Sequence, residues 1–588
     1  MLSKILIANR GEIAVRVIRG CQELGITTVA VYSELDRDAL HVRIADEAYA
    51  LGGQTAAESY LNTEAIIAAI TDSGADGVHP GYGFFSENAD FARAITDLGV
   101  TFIGPPPEAI EIMGDKISAR EAAEKVGVNG VPGSDGLVTT AAEIEAFAAA
   151  HGFPVAIKAA YGGGGRGMKV INEGDDIASE MESAQREALA YFARDEIYVE
   201  RYLTKPRHVE VQVVADAHGN TIYVGTRDCS AQRRNQKLIE EAPAPGIDPA
   251  ILTRMGEAAV KVAEGCGYVN AGTVEFLYED GDFHYLEMNT RLQVEHPVTE
   301  MVSDLDLVEL QIRIASGEEL PIGQDDVVLN GHAIEVRINA EDPAEGKFLP
   351  SPGTITELKA PDGFGTRFDT GYDSGDEISQ YYDNLIGKLI CWGRDRDRAI
   401  ARTLRALREM RVTGVATTIP ADIAILEHET FQEIEHSTRW VAEHLDLTGV
   451  SAAPAPTTDG DQDEATVERR STVEVNGRRF DVKMYVPESQ VGGGGGGGGR
   501  VARPRRASAA AGGGPAAGSG QVAVPMQGTI VKVLVEVGQE VTAGEPVVVL
   551  EAMKMENNVN ADKDGTISEV RVAPGDSVGG GDIVVVIE

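Results

Sequence analysis

The stretch HYLEMNTRLQVEHPVTE, residues 284–300, alternates polar and apolar side chains: Glu287, Asn289, Arg291, Gln293 and Glu295 are separated by Met288, Thr290, Leu292 and Val294. In an extended chain a period of two puts those five polar groups on one face. A half-exposed strand alternates in the same way, so alternation alone does not make a site. It does not account for acids, amides and an arginine gathered on one face. Mg²⁺ needs hard oxygen ligands shared with phosphates. Glu287 and Asn289 can supply them, with Glu275 from the neighbouring strand GTVEFL, residues 272–277.

A phosphate-type loop lies upstream. PVAIKAAYGGGGRGMKV, residues 154–170, reads as a strand, a glycine-rich tip and a second strand. Its spacing fits G-x-G-x-x-G at Gly162, Gly164 and Gly167, but no Gly-Lys-Ser/Thr follows, so it is not a Walker A loop. A flexible hairpin with a basic tip would look similar. Beside the acidic face it reads better as a flap whose backbone N–H groups, at Gly162, Gly163, Gly164, Gly165 and Gly167, close over phosphates. Lys158 on the preceding strand would then be a point-charge ligand.

The rest of the 588-residue chain is ordered around this pair. Its length suggests three to five domains. A strand at 4–8, helical periodicity at 12–24 and a strand at 28–32 give a βαβ start, expected to be doubly wound. Its first turn, Asn9-Arg10-Gly11-Glu12, is not a dinucleotide fingerprint. The formal charge of −41 argues against nucleic acid as a partner. No run approaches the roughly 18 apolar residues of a membrane helix, and the start MLSKILIANR is too short in apolar core for a signal peptide. A cytoplasmic location without membrane contact is expected. Cys21, Cys229, Cys266 and Cys391 are scattered, with neither disulfide nor zinc spacing.

Beyond residue 447, SAAPAPTTDGDQDEAT (451–466) reads as linker. STVEVNGRRFDVKMYV (471–486) alternates about Asn476-Gly477, a β-hairpin signature. Eight glycines, 492–499, open a tract that runs to residue 520. A tether of about 30 residues spans on the order of 30 Å. Then a duplication begins: GTIVKVLVEVGQEVTAGEPVVVL at Gly528 is answered by GTISEVRVAPGDSVGGGDIVVVI at Gly565. Matched turn glycines, Gly538 with Gly575 and Gly544 with Gly581, suggest two interlocked β-halves. Extended backwards, the copies leave only AMKMENN between them, which puts Lys554 in the connector. A loop lysine is ordinarily a solvated charge. This one stands at a symmetry break between two methionines, a residue suited to adaptable contacts with another protein.

EAMKMEN in such a repeat resembles the biotinyl domain of biotin-dependent carboxylases, with Lys554 as the biotin acceptor. A lipoyl domain has a similar fold, but its lysine usually lies in an Asp-Lys-Ala context, which this chain lacks. Residues 1 to about 445 are similar to the ATP-grasp fold of biotin carboxylase through IANRGEIA, HPGYGFFSEN, GGGGRGM, QRRNQK, EMNTRLQVEH and AIEVRINAEDP. The combination resembles the α subunit of an acetyl- or propionyl-CoA carboxylase. It implies an α/β chain of a doubly wound N-terminal domain (1–114), an ATP-grasp domain with glycine-rich lid (115–329), an α+β C-terminal carboxylase domain (330–447), a linker (448–520) and an all-β duplicated biotinyl domain (521–588).

The resemblance implies that ATP phosphorylates bicarbonate to carboxyphosphate, which carboxylates biotin on Lys554. Lys116, Lys158 and the glycine flap would hold ATP phosphates, Glu200 and Leu203 the adenine, and His208 and Gln232 the ribose side. Lys237 would sit near the γ-phosphate, and Glu275, Glu287 and Asn289 would bind Mg²⁺ or Mn²⁺. Arg291, Gln293 and the Val294 backbone would hold bicarbonate, with Glu295 as general base, Arg337 on the biotin oxyanion and Tyr82 lining the biotin pocket. The family often has His where this chain has Asn235, a position near the ribose at which Asn can still donate and accept hydrogen bonds. No carboxyltransferase of several hundred residues fits between Leu447 and Val522, so a separate β subunit is expected, docked in part by the 471–486 hairpin. A biotin protein ligase is the other implied partner, and Arg19, Glu23, Phe364 and Arg367 match positions where related enzymes dimerise. A complete carboxylase such as pyruvate carboxylase, and a lipoyl carrier fused to an amino-acid ligase, are the rivals weighed against this reading.

Overall fold

The computed structural model describes residues 1–588 except 135, 160–167, 193–194, 451–465, 476–477, 488–519, 525–527, 553–554, 574–575 and 579–581. The glycine flap and Lys554 therefore lie outside the described residues, as do Asn476 and Gly477. The chain forms two compact units, Met1–Ala455 and Pro456–Glu588. Among the described residues no helix is long and apolar enough to cross a membrane.

The first unit begins with five parallel strands, β1 (Lys4–Ile7), β2 (Thr27–Tyr32), β3 (Glu47–Ala50), β4 (Gly77–His79) and β5 (Thr101–Phe102), in the order β3-β2-β1-β4-β5. Alternate residues of β1 serve opposite faces. Ile5 and Ile7 pack with Ile13, Val17 and Ile18 of helix α1 (Gly11–Glu23), while Leu6 packs with Val29, Val31 and Ile66 on the other side. A parallel sheet covered on both faces needs such unbroken apolar strands, and the doubly wound expectation holds. Gly11, at φ 65°, makes the turn into α1.

Strands β6 (Val155–Ala159), β7 (Met168–Ile171) and β8 (Ile197–Arg201) form a small antiparallel sheet ordered β7-β6-β8, with Lys158 opposite Met168. The main sheet has eight strands. β9 (Arg207–Ala215), β10 (Thr221–Arg233), β11 (Gln236–Ala242), β12 (Asn270–Glu279), β13 (Asp282–Asn289) and β14 (His332–Asn339) join the strands Leu385–Gly393 and Thr366–Thr370. The order is β13-β12-β9-β10-β11-β14, then Leu385–Gly393, then Thr366–Thr370. Hydrogen bonding runs unbroken from β11 to β14, so the expected boundary at 329/330 falls inside one sheet. Arg234 and Asn235, at φ 50° and 64°, form the two-residue turn between Arg233 and its partner Gln236. Such a turn needs positive φ at both positions, which Asn tolerates well.

The second unit carries the strands Thr466–Val475 and Arg478–Pro487, antiparallel from Thr466 opposite Pro487 to Val475 opposite Arg478. The expected hairpin is present and begins five residues earlier than its sequence pattern. Residues 520–588 form two four-stranded sheets. One is ordered Gln521–Ala523, Ile583–Ile587, Gly565–Val570, Glu540–Val541, and the other Met555–Asn560, Pro546–Ala552, Gly528–Val533, Ser577–Val578. A shift of 37 residues carries Gly528 to Gly565, Glu540 to Ser577 and Pro546 to Ile583, so it maps one sheet onto the other. Each sheet takes its short edge strand from the opposite half, which is the interlocking the repeat implied. Ala552 pairs with Met555 across the two residues that include Lys554.

Candidate active site

Register on the main sheet assembles a row of charges. Glu287 on β13 faces Glu275 on β12, Glu275 faces Glu210 on β9, and Glu210 faces Arg227 on β10. The neighbouring same-face row is Asn289, Thr273 and Gln212. Arg227 is fully buried and ties the rows together, donating to Glu210 at 3.1 Å, Gln212 at 2.8 Å, and Thr273 and Thr299 at 3.0 Å.

One strand over, Lys237 on β11 reaches the centre of this array. Its Nζ donates to Glu295 at 2.6 Å, Gln293 at 3.2 Å and Glu275 at 3.3 Å, and also to Glu210. Arg337 on β14 holds the other Glu295 oxygen at 2.9 Å and Glu240 at 2.6 Å. Burial opposes the charge of Glu295, but Lys237, Arg337 and Arg227 hold its carboxyl well below the usual range. For Glu210, burial, opposed by Lys237 and reinforced by Glu295 and Glu275, pushes the carboxyl up to about 7. Glu210, Glu240, Glu275 and Glu295 share Lys237, Arg227 and Arg337, so Glu210 rises while Glu295 stays ionised.

The alternating stretch that suggested the site is only partly a strand. β13 ends at Asn289; residues 290–295 form a turn, and Glu295 is the N-cap of the helix His296–Ser303, with Pro297 in its first turn. Proline fits a first helical turn and cannot continue a ladder, so the extended face expected through Glu295 stops short. The turn nevertheless aims the same groups inward. Gln293 donates to Glu275 at 2.9 Å, and Asn289 donates to the same oxygen at 2.7 Å. Arg291 spans Asn289, at 3.0 Å, and Glu87, at 3.0 Å.

Glu275 and Glu287 stand side by side as hard carboxylates, and partial loss of solvent together with Glu275 raises the Glu287 carboxyl, a repulsion that a divalent cation relieves. Asn289 turns its amide nitrogen to Glu275 and its oxygen to Arg291. The acid pair fits Mg²⁺ or Mn²⁺. His208, Glu210 and Glu275 also offer ligand atoms within 4.8 Å of one another, but Lys237 already occupies that space with a positive charge.

Of the other expected residues, His208, Gln232 and Tyr82 connect to this centre, while Lys158, Glu200 and Leu203 have contacts of their own elsewhere. His208 Nε2 is 2.8 Å from Glu275, which raises its pKa against burial, and its Nδ1 is 3.4 Å from Gln232. Lys158 and Glu200, expected on phosphate and adenine, meet each other in an ion pair on the small sheet. The Leu203 carbonyl accepts from Arg439 at 2.9 Å, and Lys116 is exposed at the start of the helix Lys116–Lys125. Tyr82 donates to Glu12, and Lys388 connects Glu12, at 3.2 Å, to the Val294 carbonyl, at 2.7 Å.

Sequence reasoning passed over Glu210, Arg227, Glu240, Glu335, Glu12 and Lys388. The signal was the same period of two: His208, Glu210 and Gln212 alternate with valines on β9. Glu335, opposite Glu240, has neither carboxyl oxygen hydrogen-bonded among the described residues, and burial pushes it well above the carboxylate range despite Lys388.

Comparison with known proteins agrees with this architecture. Family profiles match in chain order: "Biotin carboxylase, N-terminal domain" at 1–110, "Carbamoyl-phosphate synthase L chain, ATP binding domain" at 115–323, "Biotin carboxylase C-terminal domain" at 335–443 and "Biotin-requiring enzyme" at 520–587. A biotin-dependent acyl-coenzyme A carboxylase alpha3 subunit of Mycobacterium leprae is 47% identical over 96% of this chain and 95% of its own. A biotin carboxylase of Nostoc is 53% identical over 75% of this chain and 98% of its own. Among solved structures, the biotin carboxylase domain of the Hydrogenobacter thermophilus 2-oxoglutarate carboxylase, in complex with MgADP, ADP and bicarbonate, superposes with a TM-score of 0.67. It is 46% identical and covers 76% of this chain and 98% of that one.

Proposed function

Because this chain belongs to the biotin carboxylase family, ATP-dependent ligases, in the form that carries a biotinyl domain on the same chain, we propose that it uses ATP and bicarbonate to carboxylate biotin borne by Lys554. The carboxyl group then passes to a separate carboxyltransferase β subunit acting on an acyl-CoA. The observation that carries this reading is the clamp on Glu295, with Lys237 at 2.6 Å and Arg337 at 2.9 Å.

Held ionised by that clamp, Glu295 is the base that takes the proton from the bicarbonate O–H. Arg291, Gln293 and the Val294 N–H hold the anion, for which a guanidinium offers a planar pair of donors. Lys237 meets the transferring phosphoryl group. Lys116, Lys158 and the glycines at 162, 163, 164, 165 and 167 hold the remaining phosphates, Glu200 and Leu203 the adenine, and His208 and Gln232 the ribose side. Glu275, Glu287 and Asn289 would hold Mg²⁺ or Mn²⁺, which when bound spreads the charge of phosphoryl transfer. Arg337 would lie against the acceptor's ureido oxygen, where a guanidinium favours negative charge, and Tyr82 would line that pocket. Biotin supplies a ureido nitrogen able to accept and release a carboxyl group.

The acyl-CoA step rests on the name of the M. leprae relative. The Thr466–Pro487 hairpin is the docking element for the β subunit, since a lone hairpin is marginal in water. A biotin protein ligase loads Lys554 in the cytoplasm. Phe364, 77% exposed beneath the Arg402 guanidinium, supports a dimer face with Arg19, Glu23 and Arg367. Glu295→Gln tests the base: bicarbonate-dependent ATP cleavage should fall by about 10² or more, and a wild-type rate would remove Glu295 from that role. Co-purification of the β subunit with and without residues 466–487, followed by assay on acetyl-, propionyl- and longer acyl-CoAs, tests the partner and substrate.

A further inference from the structure

The turn at residues 290–295 is held from beneath by two side chains that the reading above leaves unused. His296 is fully buried at the start of the helix His296–Ser303, and its Nδ1 lies 2.7 Å from the Gln293 carbonyl oxygen. A carbonyl only accepts, so Nδ1 must carry the proton. The other ring nitrogen, Nε2, has no hydrogen-bond partner among the described residues; the nearest acid, Glu300, is 3.9 Å away. Burial, with Lys388, Arg16 and Arg367 close by, holds the ring well below the usual histidine range, so it stays neutral and keeps that one donor.

The next peptide is anchored separately. Lys388 is fully buried in the strand Leu385–Gly393 and donates to the Val294 carbonyl at 2.7 Å, with Glu12 at 3.2 Å to balance its charge. A trans peptide is planar, with N–H and C=O pointing in opposite directions. The 293–294 peptide is trans, so pulling the Gln293 oxygen toward His296 aims the Val294 N–H the opposite way. Pulling the Val294 oxygen toward Lys388 fixes the following plane and with it the backbone of Glu295.

We propose that His296 and Lys388 are positioning residues for bicarbonate: they lock the two peptide planes flanking Val294 so that its N–H stands ready as an anion donor beside Gln293 and Glu295. The inference rests on the reading that this turn holds bicarbonate. It assigns to two buried groups, one from the turn's own helix and one from the strand next to β14, a role in substrate affinity. The chain Tyr82–Glu12–Lys388–Val294 carries the same alignment to the Tyr82 side of the pocket.

The test is steady-state bicarbonate-dependent ATP cleavage by the full biotinylated chain. In His296→Ala the KM for bicarbonate should rise by about tenfold while the KM for ATP stays within about twofold, the loss expected for one buried aligned donor. His296→Asn should stay within about threefold of wild type, because the Asn amide nitrogen can take the place of Nδ1. Lys388→Met should raise the bicarbonate KM in the same direction, and it carries the test if His296→Ala does not fold. An unchanged bicarbonate KM in both variants would overturn the inference. So would equal rises in both KM values without rescue by Asn, the pattern of simple packing damage. Arg291→Ala separates the two readings: an unchanged bicarbonate KM there removes the bicarbonate site and this inference with it. A raised value beside unchanged His296→Ala and Lys388→Met overturns the inference alone.

Discussion

The two units bury opposite kinds of side chain. The carboxylase unit hides Glu210, Arg227, Glu240, Glu335 and Lys388 with no exposure at all, whereas every buried side chain among the described residues of 520–588 is apolar, from Val522 through Leu550 to Ile587. Burying charges costs several kcal/mol each unless they are paired, so a protein that keeps such an array spends stability on chemistry. The described residues of the biotinyl domain bury no such array; its duplicated valine-rich strands pack an apolar core between two four-stranded sheets.

The contrast can be broken first at Arg227. Arg227→Met leaves Glu210 buried without that partner and should cost about 3–5 kcal/mol, read as a lowered melting transition of the carboxylase unit. Val548→Ala in the biotinyl core should cost about 2 kcal/mol. If the valine proved the more costly change, buried charge would not be the organising feature of the larger unit.

A second handle is acid. Glu241 is buried between His332, at 2.7 Å, and Arg396, at 2.6 Å; burial works against its charge, yet these partners hold its carboxyl down to about 2. A carboxyl lowered on folding stabilises the protein above its unfolded pKa, and that contribution is lost as pH falls through the folded value. The carboxylase unit should therefore lose on the order of 3 kcal/mol from this group between about pH 4 and pH 2. In Glu241→Gln, unfolding titrations should show that slope reduced; an unchanged slope would mean the pair is not what acid breaks. The smallest effect is expected at Asn235. Asn235→Gly keeps the positive-φ turn and should shift stability by no more than about 0.5 kcal/mol, measured by thermal unfolding.

Much of this was legible in the residues because the signals were periodic. Both faces of β1 are covered, so its strand reads as an unbroken apolar run, and the 37-residue offset reappears strand for strand in the two biotinyl sheets. The turn after Asn289 was not legible as a turn, since its polar groups keep a spacing of two while the backbone stops being extended; Pro297 was the available warning. Lys388 escaped notice because one lysine in LIGKLICWG, residues 385–393, looks like an edge charge. Only the register with β14, which brings it opposite Arg337 and beneath Val294, reveals its place.

The most direct test of the central claim uses the purified biotinylated chain with ATP, Mg²⁺ and radiolabelled bicarbonate, without any β subunit. The account predicts that acid-labile label appears on the protein, requires ATP, and is absent from Lys554→Ala. Label that persists in Lys554→Ala, or ATP cleavage indifferent to bicarbonate, would contradict it.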